Sequence, residues 1–206
     1  MNYIEEYYGQ ILDGRVAVSE KVRRVYKHLV DKLHDTGSQY VYDDEKAKYV
    51  IEFVETFCCQ SKGAWGGKPL KLELWQKAAT AALFGFVDKD TGLREYRQLI
   101  LIVARKNGKS TWAAGLALYL LVADGEPGPE IYSAATKKDQ AKIIWNEVVS
   151  MIKKSPALNK HLKCLVSSIK CRLNEGVFEP LGSDSNKLDG LNVHGALIDE
   201  LHAIKD

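Results

Sequence analysis

Leu99 to Thr111 reads L-I-L-I-V-A-R-K-N-G-K-S-T, an apolar run entering a short polar loop that ends in Gly108-Lys109-Ser110. The helix-compatible segment W-A-A-G-L-A-L-Y-L-L follows at once from Trp112. Strand, loop and helix in that order make a P-loop, where backbone N–H groups and a lysine hold nucleotide phosphates at a helix N-terminus. The usual pattern G-x-x-x-x-G-K-[ST] has glycine where this chain has Val103. The loop alone therefore suggests a nucleotide and requires a partner motif.

About ninety residues further on, Val193 to His202 reads V-H-G-A-L-I-D-E-L-H, an apolar strand ending in two acids. This suits a Walker B site. Mg²⁺ is a hard cation that keeps several waters and takes one or two carboxylates plus phosphate oxygens. Asp199 is the candidate metal ligand, with the Ser110 hydroxyl beside it. Glu200 is the candidate base that polarises the water attacking the γ-phosphate. Taken alone, the acid pair reads equally as a strand exit or a helix cap; paired with G-K-S it carries chemistry. A strand-and-helix unit between the two motifs, together with a catalytic Glu, suits the additional-strand ATPases better than small GTPases.

Within the loop, Lys109 is expected on the β- and γ-phosphates as a point charge, with the N–H groups of Asn107 to Ser110 lining them. Arg105, an expensive charge inside a loop, reads either as a cis arginine on the γ-phosphate or as a surface residue paired with an acid. Lys106 and Thr111 complete the candidate nucleotide-binding set of Gln76, Arg105, Lys106, Asn107, Gly108, Lys109, Ser110 and Thr111. Gln76, in L-E-L-W-Q just before a helix, can both donate and accept, which suits an adenine edge. Without the P-loop it would be an ordinary surface residue.

The pattern around this centre predicts strands alternating with helices, hence a mostly parallel sheet flanked by helices. Helices are expected over Ser19 to Leu33, with Val22, Val25, Tyr26, Leu29, Val30 and Leu33 on one face, and over Glu45 to Phe57. A third is expected from Leu72 to Phe86, a fourth from about Lys109 to Ala123, and a fifth from a Thr136 cap to about Lys154. Strands are expected at Tyr96 to Val103, Glu130 to Ala134 and Val193 to Ile198, with a hairpin turning at Asn174-Glu175-Gly176. The Gly-rich turn Gly63 to Gly67 divides a helical N-terminal extension, 1–62, from a P-loop ATPase part, 63–206.

A chain of 206 residues has room for one α/β domain with a core. The net charge of +2 names no partner, but Lys137 to Arg172 is basic and almost free of acids. Such a stretch serves either phosphate backbones or a solvated helix face. Cys58, Cys59, Cys164 and Cys171 fit neither zinc spacing nor a disulfide framework, and read as reduced thiols of an intracellular protein. The acidic, aromatic N-terminus is no signal peptide, and the apolar run at Leu116 to Ala123 is too short to cross a bilayer.

Four segments together resemble one family: L-E-L-W-Q-K, A-R-K-N-G-K-S-T, S-A-A-T-K-K-D-Q-A-K-I-I-W and G-S-D-S-N-K-L-D-G-L-N-V-H-G-A-L-I-D-E-L-H. From about Ile51 to Asp206 the chain resembles the N-terminal ATPase domain of the large terminase subunit of tailed bacteriophages, the motor that packages DNA into procapsids. That family's P-loop is itself divergent, with an arginine in the loop and no obligatory first glycine. The resemblance implies ATP and Mg²⁺ as cofactors. It makes Gln76 the adenine motif, Arg105 the P-loop arginine, Lys109 and Ser110 the phosphate and metal ligands, and Asp199 and Glu200 the Walker B pair. It implies double-stranded DNA, further copies of the chain in a ring on the procapsid portal, the small terminase subunit and the portal protein as partners, no membrane, and the host cytoplasm as location. A trans-acting arginine is also implied, for which Arg172 and Lys187 are weak candidates.

A complete large subunit continues into a coupling motif and an RNase H-like nuclease, which six residues after Glu200 cannot hold. The chain is thus expected to be a truncated ATPase portion without nuclease activity, its hydrolysis weak or absent. Two other readings are a superfamily 2 helicase-like ATPase, with which His202 is compatible but which needs a second motor domain, and a silent nucleotide-binding or assembly fragment.

Overall fold

The computed structural model describes residues 2–135, 138–182 and 190–199, with side chains left out at 138, 139 and 182. They form two compact units, one of 1–52 with 71–102 and one of 53–70 with 103–206. Packing therefore interleaves along the chain instead of breaking once at the Gly-rich turn.

In the first unit, helix α1 (Tyr3–Leu12) starts on a capping box. Asn2 Oδ1 accepts from the N–H groups of Ile4 and Glu5, each at 3.0 Å, and α1 buries Ile4, Tyr7 and Ile11. Helix α2 (Glu20–Leu33), capped by Ser19, buries Tyr26 and Leu29, and the Tyr26 ring meets Tyr7 edge-on at 4.7 Å. Val25, expected on the apolar face, is 54% exposed, because the stripe that meets α1 is narrower than the sequence pattern. Strand β1 (Tyr40–Tyr42), helix α3 (Asp44–Phe57), helix α4 (Leu74–Gly85) and strand β2 (Phe86–Asp88) follow in order. β1 and β2 pair antiparallel. Gly85 has no room for a Cβ, which would collide with the Tyr42 ring. Lys32 of α2 forms an ion pair with Glu95 inside a box of the Tyr40, Phe86 and Tyr96 rings.

The strand expected at Tyr96 to Val103 does not form. Ile100 is 77% and Ile102 94% exposed, and no ladder partner runs beside the segment among the described residues. A strand is a pairing, not a local conformation, so apolar content alone cannot secure one.

The second unit is built on a sheet of order β4-β5-β6-β3-β7. Its strands are β3 (Glu130–Ala135), β4 (Leu162–Cys164), β5 (Ile169–Cys171), β6 (Val177–Gly182) and β7 (Val193–Ile198). β3 pairs parallel with both β6 and β7, while β4 and β5 add an antiparallel edge. The hairpin between β5 and β6 turns where expected, with Glu175 in the left-handed region at φ 62°. Helices α5 (Lys109–Val122), α6 (Lys138–Lys154) and α7 (Pro156–His161) pack with the strands. α5 is apolar nearly all round and correspondingly buried from Trp112 to Leu121. Its Gly115 faces Val54, the C-terminal end of α3, where an added Cβ would lie 2.9 Å from Val54 Cγ1. Thr136, the expected cap of α6, lies outside the described residues.

The Gly-rich segment after α3 is an ordered loop. Gln60 N–H donates to Lys68 O and Leu70 N–H to Cys58 O, both at 2.9 Å. Lys62 Nζ lies 3.1 Å from Glu147 of α6, and Lys154 Nζ donates to the Ser61 carbonyl. Among the described residues no helix is long and apolar enough to cross a membrane.

Candidate nucleotide-binding site

The loop from Ala104 to Gly108 delivers the chain into α5 through two residues in the left-handed region, Lys106 at φ 67° and Gly108 at φ 71°. Glycine adopts that conformation freely, whereas for lysine it costs about 1–2 kcal/mol. Strain of this kind at a non-glycine residue clusters at functional sites. Asn107 braces the turn, its Nδ2 donating to Ala104 O at 3.1 Å. The N-cap of α5 is Gly108, which has no side chain to accept from the first-turn N–H groups, and these carry the positive end of the helix dipole. Arg105, Lys106 and Asn107 are exposed around this end, while Lys109, Ser110 and Thr111 are half-buried.

The acid comes from the sheet. Asp199 N–H donates to Ala134 O at 3.2 Å, which continues the β3–β7 ladder one residue past β7. The Asp199 carboxylate then lies 3.6 Å from Lys109 Nζ. Two supports hold β7 in place. Gly195 leaves no room for a side chain, since a Cβ there would lie 2.9 Å from Leu120 of α5 and 3.2 Å from Ile131 of β3. His194 Nε2 lies 2.7 Å from Asp124 Oδ2, tying β7 to the residue after the C-cap of α5. Both ends of α5 are thus fastened to one strand, by Lys109 to the acid beyond its C-terminus and by Asp124 to a histidine near its start. Ser133 Oγ of β3, fully buried, donates to Ala141 O and fixes α6 to the same sheet.

An anion-accepting helix N-terminus, a lysine and a strand-end carboxylate converge here, which is what a nucleotide triphosphate with a divalent cation requires. The sequence model of the family described as terminase large subunit, ATPase domain, matches residues 74–206. The chain belongs to that family. The terminase large subunit of Enterobacteria phage HK97 is 29% identical over 166 residues, covering 78% of this chain and 31% of that protein. The crystal structure of the HK97 large terminase superposes with a TM-score of 0.66 at 28% identity, over 78% of this chain and 32% of that one. The chain thus spans about a third of the length of these relatives.

Of the residues expected in this terminase ATPase domain, Lys109 and Asp199 are brought together and Ser110 lies beside Lys109 on the first turn of α5. Gln76 is not the surface residue its sequence context suggests. It is 5% exposed, and its Oε1 accepts from Glu73 N–H at 3.0 Å, which closes a capping box on α4. Gln76 belongs to the first unit and the P-loop to the second. Arg172 follows β5, and β6 and β3 stand between β5 and β7. That is about 14 Å across the ladder, so Arg172 does not join Lys109 and Asp199 in its own chain. Glu200 and Lys187 lie outside the described residues. Sequence reading missed Asp124 and His194; only an acid just past a predicted helix and a histidine early in a predicted strand hinted at them.

Proposed function

We propose that this chain is the ATP-hydrolysing motor portion of a phage large terminase, and that hydrolysis drives double-stranded viral DNA into procapsids. The observation that carries the reading is the 3.6 Å approach of Lys109 Nζ to Asp199 Oδ1 at the N-terminus of α5, where the cap residue is Gly108. The Asp199 carboxylate holds the ammonium at the mouth of the helix, where β- and γ-phosphates compete for it. First-turn N–H groups and Arg105 supply further donors to the same phosphates, and Arg105 is placed in sequence to meet charge developing on the γ-phosphate.

The Ser110 hydroxyl and the Asp199 carboxylate are the hard oxygen donors that would hold Mg²⁺, which when bound neutralises phosphate charge. Glu200, one residue past Asp199, accepts the proton of the attacking water in this reading. On this reading the chain works in the host cytoplasm, in a ring of its own copies on the portal, with DNA delivered by the small subunit.

Phosphate release under single-turnover conditions tests the proposal. Wild type hydrolyses ATP, while Glu200→Gln binds it with unchanged affinity and loses at least tenfold in rate. Equal rates for the two would remove Glu200 from the role of base.

A further inference from the structure

The edge of the sheet opposite β7 carries a cluster of three cations. Lys163 of β4 and Lys170 of β5 are directly opposite one another in the antiparallel ladder, and both are exposed. Like charges in that relation destabilise a sheet. Two residues on, just past the end of β5, Arg172 is exposed as well. These three line a groove of about 570 Å³ whose other charged walls are Glu175 and Glu179. The cations therefore come from β4, from β5 and from the turn that follows β5.

A like-charge pair that costs stability, with a third cation beside it, points to a ligand that repays it. The groove is open and its cations are solvated, so it does not enclose a small anion. A chain of phosphates 5–7 Å apart, each contacted weakly, fits such a row, because released counterions make many weak contacts additive.

We propose that the β4–β5 edge, through Lys163, Lys170 and Arg172, is a contact surface for the phosphate backbone of duplex DNA. This rests on the motor reading above and names the surface by which the chain holds its substrate. Glu175 and Glu179 set the strength of the grip by opposing the same phosphates, which keeps the contact reversible.

The test is fluorescence anisotropy of a labelled 30-base-pair duplex titrated with the full chain at several salt concentrations. A fluorescent ATP analogue is titrated in parallel, and each variant is checked for cooperative melting. Lys163→Ala/Lys170→Ala/Arg172→Ala lowers the magnitude of the slope of log affinity against log salt by about 2–3, at roughly 0.9 per lost phosphate contact. It weakens binding at least tenfold at 0.1 M salt and leaves ATP binding unchanged. Glu175→Gln, at an exposed turn, tightens DNA binding two- to fivefold and serves as the second variant should the triple change fail to fold. Identical DNA curves for wild type and both variants overturn the proposal. So does a wild-type chain that binds no duplex, or a triple variant that alters only self-association in sedimentation velocity, which would make the edge an interface between copies. Loss of ATP binding by wild type with DNA binding intact would defeat the motor reading instead.

Discussion

Replacing Gly115 by alanine sets two effects of similar size against each other. In an exposed helix the change stabilises by about 1 kcal/mol, because alanine restricts the unfolded chain and favours helix. Here the new Cβ would lie 2.9 Å from Val54 Cγ1 and 3.4 Å from Cγ2. Val54 is fully buried, and a valine in a helix is confined almost to one rotamer. It cannot swing away, so α3 and α5 must separate by several tenths of an ångström, at an overpacking cost of about 1–3 kcal/mol. The net expectation is a loss of about 1 kcal/mol, a fall in Tm of about 2–4 °C for a chain of this size. Thermal unfolding followed by far-UV circular dichroism reads this directly. Val54→Ala in the same background opens the space, so the double variant is more stable than the sum of the single changes by at least about 1 kcal/mol. A Gly115→Ala chain that melts 2–4 °C higher than wild type would show that α5 is not packed against Val54.

Asp199→Asn has opposite effects in the two nucleotide assays. With EDTA it tightens ATP binding about three- to tenfold, because the carboxylate no longer competes with phosphate for Lys109 across 3.6 Å; with Mg²⁺ it weakens binding, and a change of the same sign in both would contradict the assigned ligand role. Alkylation of the native chain at pH 8, read by mass spectrometry, modifies Cys59 and Cys164 first. Cys58, fully buried with its thiol pushed up to about 12 by that burial, is thiolate in only about one part in 10⁴ at that pH, and reacts only on unfolding, as does buried Cys171. Early modification of Cys58 would place the loop after α3 in an open state.

What the sequence made legible was whatever its local signals decided. Gly108-Lys109-Ser110 before an apolar segment marks the start of α5 at about Lys109, and Asn174-Glu175-Gly176 marks the hairpin, because turn chemistry and helix starts are short-range. Val193 to Ile198 was readable because its apolar run ends in acids. Tyr96 to Val103 has the same apolar character, yet forms no strand among the described residues; pairing is decided by what lies alongside, which composition does not encode. Tyr40–Tyr42 and Phe86–Asp88 pair across forty-odd residues in strands of three, too short to show a period. Helix α1 leaves little trace in the sequence although Asn2 and Glu5 form a capping box, since three buried residues in ten make a weak stripe. At the site, motif spacing pairs Lys109 with Asp199, and the two lie 3.6 Å apart, whereas Gln76 is buried with its side-chain oxygen on the backbone at its own helix start. The Asp124–His194 tie joins residues seventy apart and had no local signature.

The central claim is that Lys109 at the start of α5 binds nucleotide phosphate. Equilibrium titration of a fluorescent ATP analogue, with Mg²⁺, into wild type and Lys109→Ala tests it most directly. A charge-assisted hydrogen bond is worth about 1.5–3 kcal/mol, so saturable binding to wild type should weaken about ten- to a hundredfold in the variant. Equal affinity in the two chains, or saturable binding by neither, would contradict it.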